Sequence, residues 1–298
     1  MILGFTGWMD GGRISTGTVE YLAQATGARK FAEIDSAEFY IHHFPATSLP
    51  LTVVSEGDQT VVRPLDPMEY AAIFRPHGKI VDGVVRGLTF PRNDFLGSEQ
   101  SNLILFHGEE PHIRWRTYAE CLLGLAEEYG TEAIFFIGSV SSPIPHTREP
   151  RVRSSVADEA LTKTRRHHDV GFSDYEGPAS FITFLLTLAA ARGIEMRTLV
   201  VEVPHYPFLD IPAYPASILR VTSVLAEWLG LDLQLSDLRR ATNGLREQLD
   251  RLMEENEEFG KVVRRLEESY DAEEVSTDEE SLRRLIDKID LGGDAQET

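Results

Sequence analysis

Four short apolar runs, each ending in a polar turn, constrain this chain more than any other feature. Ile2–Thr6 runs into Gly7-Trp8-Met9-Asp10-Gly11-Gly12. Leu103–Phe106 runs into His107-Gly108-Glu109-Glu110-Pro111. Ala133–Ile137 ends at Gly138 and releases a loop stiffened by Pro143, Pro145 and Pro150. Thr198–Val203 runs into Pro204-His205-Tyr206-Pro207. Continuous rather than alternating apolar runs read as strands covered on both faces, the habit of a parallel sheet.

Helical patterns separate these runs. Ile14, Val19, Leu22 and Ala23 make a weak helical face. Trp115, Tyr118, Leu122, Leu125, Ala126 and Tyr129 recur at spacings of three and four, an amphipathic helix. Pro178 reads as a first-turn proline before an apolar helix through Phe181 and Leu186. Pro215 opens another helix, closed by Gly230. The alternation predicts an α/β fold, a three-layer sandwich around a mainly parallel mixed sheet. Residues 35–98 break the rhythm. Leu51–Val54 with Thr60–Val62, and Ile80–Arg86 with Leu88–Phe90, read as antiparallel strand pairs extending that sheet.

From Ser236 the composition changes. Leu238, Leu245, Leu252, Phe259 and Leu266 recur every seven residues, as do Thr242, Leu249, Asn256, Val263 and Tyr270. These are the d and a positions of a coiled coil, with Asn256 as a register-setting a residue; a long helix packed on its own domain fits equally well. Ser276 and Glu279 form a capping box ahead of a short helix carrying Leu282, Leu285, Ile286 and Ile289. The expected division is an α/β core over 1–235 with a β-rich insertion at about 35–98, then an acidic helical extension over 236–298. From Gly244 to the end, 18 acidic residues face 8 basic ones, so this segment holds −10 of the chain's net −19.

That charge argues against nucleic acid and against an anionic membrane as partners. No run of 18 apolar residues exists, the N-terminus does not read as a secretory signal, and the single Cys121 fits a reducing cytoplasm. Cys121 sits beside Leu122 and Leu123 and reads as inert core. The pairs His42-His43 and His167-His168 diverge on a strand or helix, no zinc spacing is present, and no metal or other cofactor is expected. Phosphate-loop, dinucleotide and nucleophile-elbow patterns are absent.

Polar residues gather after the strands. They are Trp8 and Asp10, Glu109 and Glu110, His146, Thr147 and Arg148, His205 and Tyr206, with Tyr175 and Glu176 ahead of the apolar helix. Parallel strands bring such turns to one edge, where ligands bind in open α/β sheets. There Asp10 or Glu176 near His146 could move a proton, Arg148 could hold an anion, and Trp8, Tyr175 or Tyr206 could stack on a ring. Each has a plain structural role too: Asp10 satisfying amides of the glycine turn, Trp8 packing, Arg148 or Arg153 pairing with a carboxylate.

Taken in order, Gly7 to Gly12, Gly108-Glu109-Glu110-Pro111 with Trp115, Pro145-His146-Thr147-Arg148 with Pro150 and Val152, Tyr175-Glu176-Gly177-Pro178 and Pro204-His205-Tyr206 resemble the proteasome-assembly-chaperone family, in its bacterial and archaeal branch. The resemblance covers about residues 1–270, including Leu266-Glu267 to Asp271. It departs at Met9-Asp10-Gly11-Gly12, where relatives carry Asn-Asp-Ala-Gly. It implies a fold similar to purine nucleoside phosphorylases and hydrolases, eukaryotic members that order proteasome α-subunits without known catalysis, and homo-oligomers, trimers among them. Two functions follow as expectations. The first is a non-catalytic assembly or protein-interaction protein, partnered by other proteins or by itself. The second is an enzyme or binder for a nucleoside-like or phosphate-bearing ligand.

Overall fold

Neighbouring residues of the apolar runs are buried on opposite sides of one sheet, which produces three layers. Ile2, Leu105, Phe135 and Leu199 join one hydrophobic cluster, while Leu3, Phe106, Phe136 and Met196 join the other. The computed structural model describes residues 1–42, 51–56, 59–64, 75–164, 170–206, 209, 211 and 213–272. In chain order the elements are β1 (Ile2–Thr6), α1 (Ile14–Thr26), β2 (Arg29–Glu33), β3 (Leu51–Glu56), β4 (Gln59–Pro64), β5 (His77–Val81), β6 (Val84–Thr89), β7 (Asp94–Ser98), β8 (Leu103–Glu109), α2 (Trp115–Glu128), β9 (Ala133–Ser142), β10 (Val152–Ser154), β11 (Val170–Phe172), α3 (Phe181–Ala191), β12 (Glu195–Pro204), α4 (Pro215–Leu229) and α5 (Ser236–Glu255). A last helix, α6, covers residues 257–272.

The eight-stranded sheet has the order β11-β10-β12-β9-β1-β8-β7-β2. Its four central strands, β12, β9, β1 and β8, are parallel. They are the four apolar runs of the sequence, so their carboxyl ends share one edge. β7 and β10 are antiparallel to their neighbours β8 and β12. Helices α1, α4 and α5 cover one face, with Ile14, Leu22, Val221 and Leu225 inward. Helices α2 and α3 cover the other, with Tyr118, Leu122, Phe181 and Leu185 inward. Helix α1 lies so close to β1 that a Cβ on Gly4 would stand 2.6 Å from the Ser15 carbonyl oxygen.

The structure corrects several expectations. β9 does not end at Gly138; it runs on to Ser142 because Val201–Pro204 of β12 continue the ladder beside Ser139–Ser142. The two antiparallel pairs of the 35–98 region do not extend the sheet. β3–β4 and β5–β6 are separate two-stranded hairpins, and the second turns at Asp82-Gly83, both with positive φ, which splits the run Ile80–Arg86 expected as one strand and joins its second half to Leu88 in β6. The sheet is extended instead by β7 and β2. Pro178 lies outside α3, whose N-cap is Ser180, accepting from the Thr183 amide. Cys121 is exposed, because α2 turns Tyr118, Leu122 and Ala126 inward and leaves Cys121 outward.

The seven-residue series does not form one continuous coiled-coil helix. Asn256 has φ −123° and ψ 101°, an extended residue that ends α5, and its Oδ1 accepts from the Phe259 amide to start α6. Leu238, Leu249, Phe259 and Val263 then join the hydrophobic cluster of the chain's own sheet. His43, His167, His168, the Ser276/Glu279 box and the short helix expected after it lie outside the described residues.

Candidate functional site

The strand-end edge carries two separate constellations, and each uses its polar groups to tie elements together. At the carboxyl ends of β1 and β8, the Glu110 carboxylate accepts from two backbone amides, Phe181 at 2.9 Å and Trp8 at 3.3 Å. One acidic side chain thereby satisfies an otherwise unpaired amide at the start of α3 and fixes the glycine turn after β1. Beside it, Asp10 accepts from the Thr16 amide at 3.1 Å and the Thr16 hydroxyl at 2.8 Å. Burial pushes the Asp10 carboxyl up, against these hydrogen bonds, which act to lower it. The same turn is stapled to β9, since the Ser139 amide donates to the Met9 carbonyl at 2.9 Å and its hydroxyl to Gly11 at 2.7 Å.

Glu109 points its backbone into the core. Its carbonyl accepts from the Tyr40 hydroxyl at 2.8 Å, and its amide donates to Asn93 at 3.2 Å; burial raises its carboxyl pKa. Trp8 is 63% exposed, not packed, and Tyr175 is 71% exposed, its hydroxyl donating to the Pro178 carbonyl at 3.0 Å. Glu176 and His205 are exposed.

The second constellation holds the loop after β9. His146 is buried, its ring between Tyr206 and Asp250 at 2.8 and 3.3 Å. The His146 amide also donates to the Tyr206 hydroxyl oxygen at 2.8 Å. Asp250 as a carboxylate can only accept, so in the neutral ring a hydrogen on Nε2 serves that contact and leaves Nδ1 to accept from the Tyr206 hydroxyl. Burial holds the imidazole pKa below its usual value, with Asp250 acting in the opposite direction. Burial also pushes Tyr206 up to about 12. Phe259 closes the stack, parallel to the His146 ring at 6.0 Å and edge-on to Tyr206 at 5.1 Å.

The next residues are held by α6. The Thr147 hydroxyl donates to Glu267 at 2.5 Å. Arg148 grips Asp271 with two bonds of 2.8 and 2.7 Å and reaches Glu267 at 3.2 Å. Asp271 first, then Glu267, raises the Arg148 pKa, and the same pair lowers Asp271. Tyr270 donates to the Glu149 carbonyl at 2.8 Å, while Arg151 donates to the Tyr270 carbonyl at 3.0 Å and lies 3.7 Å over its ring. We call this set of contacts the latch.

The structure thus brings His146 together with Tyr206, and Thr147 with Arg148, but pairs none of them with Asp10, Glu109 or Glu176. The cleft beside the loop, about 410 Å³, includes Arg148, Arg220, Arg239 and Arg246 in its lining. Three of these face a carboxylate: Arg148 faces Asp271 at 2.7 Å, Arg220 faces Glu149 at 3.8 Å, and Arg246 faces Asp250 at 3.9 Å. Among the described residues, no group of three or more His, Cys, Asp or Glu is placed to hold a metal ion. Sequence reasoning missed Asp250, Phe259, Tyr270 and Arg151. Asn256 followed by Glu257 and Glu258 was the available sign of a helix start between them.

The chain matches the model of the PAC2 family over residues 4–253. It belongs to the PAC2 family. Solved PAC2-like folds superpose over most of its length. A PAC2 family protein from Streptomyces avermitilis is 23% identical with TM-score 0.66, covering 88% of this chain and 98% of the other. A proteasome-assembly chaperone homologue from Mycobacterium tuberculosis is 22% identical with TM-score 0.68, again covering 88% and 98%. PbaB of Pyrococcus furiosus, an archaeal proteasome activator, is 22% identical with TM-score 0.54, covering 84% and 91%. At these identities the likeness is one of fold. No curated protein sequence matches the chain.

Proposed function

We propose that this PAC2 protein is a non-catalytic, assembly-chaperone-like factor of the cytoplasm, working through protein contacts, those with its own copies included. The latch carries the reading. The loop best placed for chemistry has His146, Thr147 and Arg148 committed to Asp250, Glu267 and Asp271 of the same chain. Outward, the chain offers Trp8 after β1 and Tyr175 ahead of α3, two exposed aromatics on segments bonded to Glu110 and to the Pro178 carbonyl. Exposed, rigidly held aromatics are typical anchors of protein interfaces. The names of the fold relatives, a proteasome-assembly chaperone homologue and a proteasome activator, point to proteasome subunits as the partner class.

The test is binding of the purified protein to purified proteasome α-subunits of the same organism, followed by mass photometry. The wild type forms a mixed complex, and a Trp8→Ala, Tyr175→Ala variant forms it at least about tenfold more weakly. Absence of any mixed complex, together with thermal stabilisation by a nucleoside or by phosphate, would replace this reading with the ligand-binding one.

A further inference from the structure

β5 and β6 form a hairpin that stands apart from the eight-stranded sheet. Among the described strands they hydrogen-bond only to each other, and every residue of both is exposed. Yet Ile80, Val81, Val84, Val85 and Leu88 are large aliphatics with exposures between 41% and 68%. The register concentrates them. Ile80 pairs with Val85, and Gly78, two positions before Ile80, pairs with Leu88. Cross-strand partners and alternate residues share a face. The irregularity between Lys79 and Ile80 therefore puts Ile80, Val85 and Leu88 together on one side. A lone two-stranded hairpin is at best marginally stable in water, and a contiguous apolar face left in solvent marks an interaction surface.

Charge identifies what covers it. Over residues 75–90, Arg75, Lys79 and Arg86 outnumber Asp82, a net of +2; the chain is −19, so the remainder carries −21. The hairpin is thus a basic, apolar arm on an acidic body. An anionic membrane or a nucleic acid would attract the arm and repel the body it is attached to. A second copy of the chain offers the arm an acidic surface at matching concentration. Two arms meeting each other would oppose positive charges, so the fit is arm onto body. We propose that the β5–β6 hairpin is the self-association element, its Ile80/Val85/Leu88 face docking on the body of a second copy. The argument does not rest on the proteasome-binding reading.

The experiment is light scattering of the full chain after size exclusion, across a hundredfold concentration range. The wild type is expected above the 33.4 kDa monomer mass. Ile80→Asp with Val85→Asp is expected to weaken association about 100-fold or more, from two lost aliphatic burials. A second variant, with residues 77–89 replaced by a short Gly-Ser link, is expected to be monomeric with an unchanged thermal midpoint at low concentration, since no core residue is removed. A monomeric wild type, or variants that keep the wild-type mass, overturns the proposal. So does a monomer that co-sediments with phosphatidylglycerol vesicles through the hairpin. None of these results alters binding to proteasome α-subunits through Trp8 and Tyr175, so the two readings fail separately.

Discussion

Replacing Phe259 with alanine tests whether α6 belongs to the core of its own chain. The side chain is 2% exposed and packs against both His146 and Tyr206. Phe→Ala at a buried site costs about 3–5 kcal/mol through lost transfer energy and the cavity left behind. Loss of two ring contacts, each worth about 0.5–1.5 kcal/mol beyond area, places this site near about 4 kcal/mol. The assay is urea unfolding of the full chain with a parallel thermal scan. The midpoint in heat should fall by about 8–16 °C. A tenfold dilution should leave the difference between variant and wild type unchanged, because a contact within one chain carries no concentration dependence. A loss below about 1 kcal/mol, or a difference that grows on dilution, would refute the intramolecular latch and restore a contact between chains.

Two further outcomes follow from the same geometry. The folded-state pKa of His146 is lowered by burial, so the fold favours the neutral ring and its stabilising effect is complete above the ordinary histidine pKa of about 6.5. It is lost as pH falls below that ordinary value and through the lowered folded one, so the hydrogen-exchange protection of α6 should fall below about pH 6.5 while α1 stays protected, and His146→Gln should flatten that change. If α6 protection does not respond to pH, His146 is not the group that couples the two. Glu110→Ala removes both carboxylate bonds, to Phe181 and Trp8. It should cost about 1–2 kcal/mol and speed exchange of the first α3 amides, and unchanged exchange there would contradict the role assigned to Glu110.

The central sheet was legible because its strands are covered on both faces. Ile2 and Leu3, or Phe135 and Phe136, must both be apolar when each enters a different layer. The edges were less legible. Strand β2, Arg29–Glu33, is largely exposed and carries three charges among five residues, so it lacks an apolar signature. The β5–β6 hairpin has the opposite fault, since its aliphatics promise burial that the chain does not supply. The candidate site was legible in position and not in partners. Nothing local in Pro145-His146-Thr147-Arg148 reveals that Asp250, Glu267 and Asp271 answer it from more than 100 residues away. Those acids sit among other charges of an acidic segment, where solvent exposure is the ordinary expectation. Asn256 illustrates the ambiguity best. One amide side chain suits a coiled-coil a position and a helix start alike, and only the extended backbone at 256 separates the two.

The latch also has a schedule. Its loop leaves β9 at Ser142, while the groups that fasten it span Asp250 to Asp271. At about 5–20 residues per second, a ribosome needs several seconds or more to add that intervening chain. Once β12 has joined the sheet, the parallel strands can be paired while His146 still lacks Asp250, Arg148 lacks Glu267 and Asp271, and Tyr206 lacks Phe259. The sheet edge of a nascent chain therefore differs chemically from that of the finished one, since Thr147 and Arg148 stand there before the carboxylates that hold them. A chain cut short after α5 would keep Asp250 against His146 but lose Phe259, Glu267, Tyr270 and Asp271, displaying to the cell a loop surface that α6 covers in the complete protein.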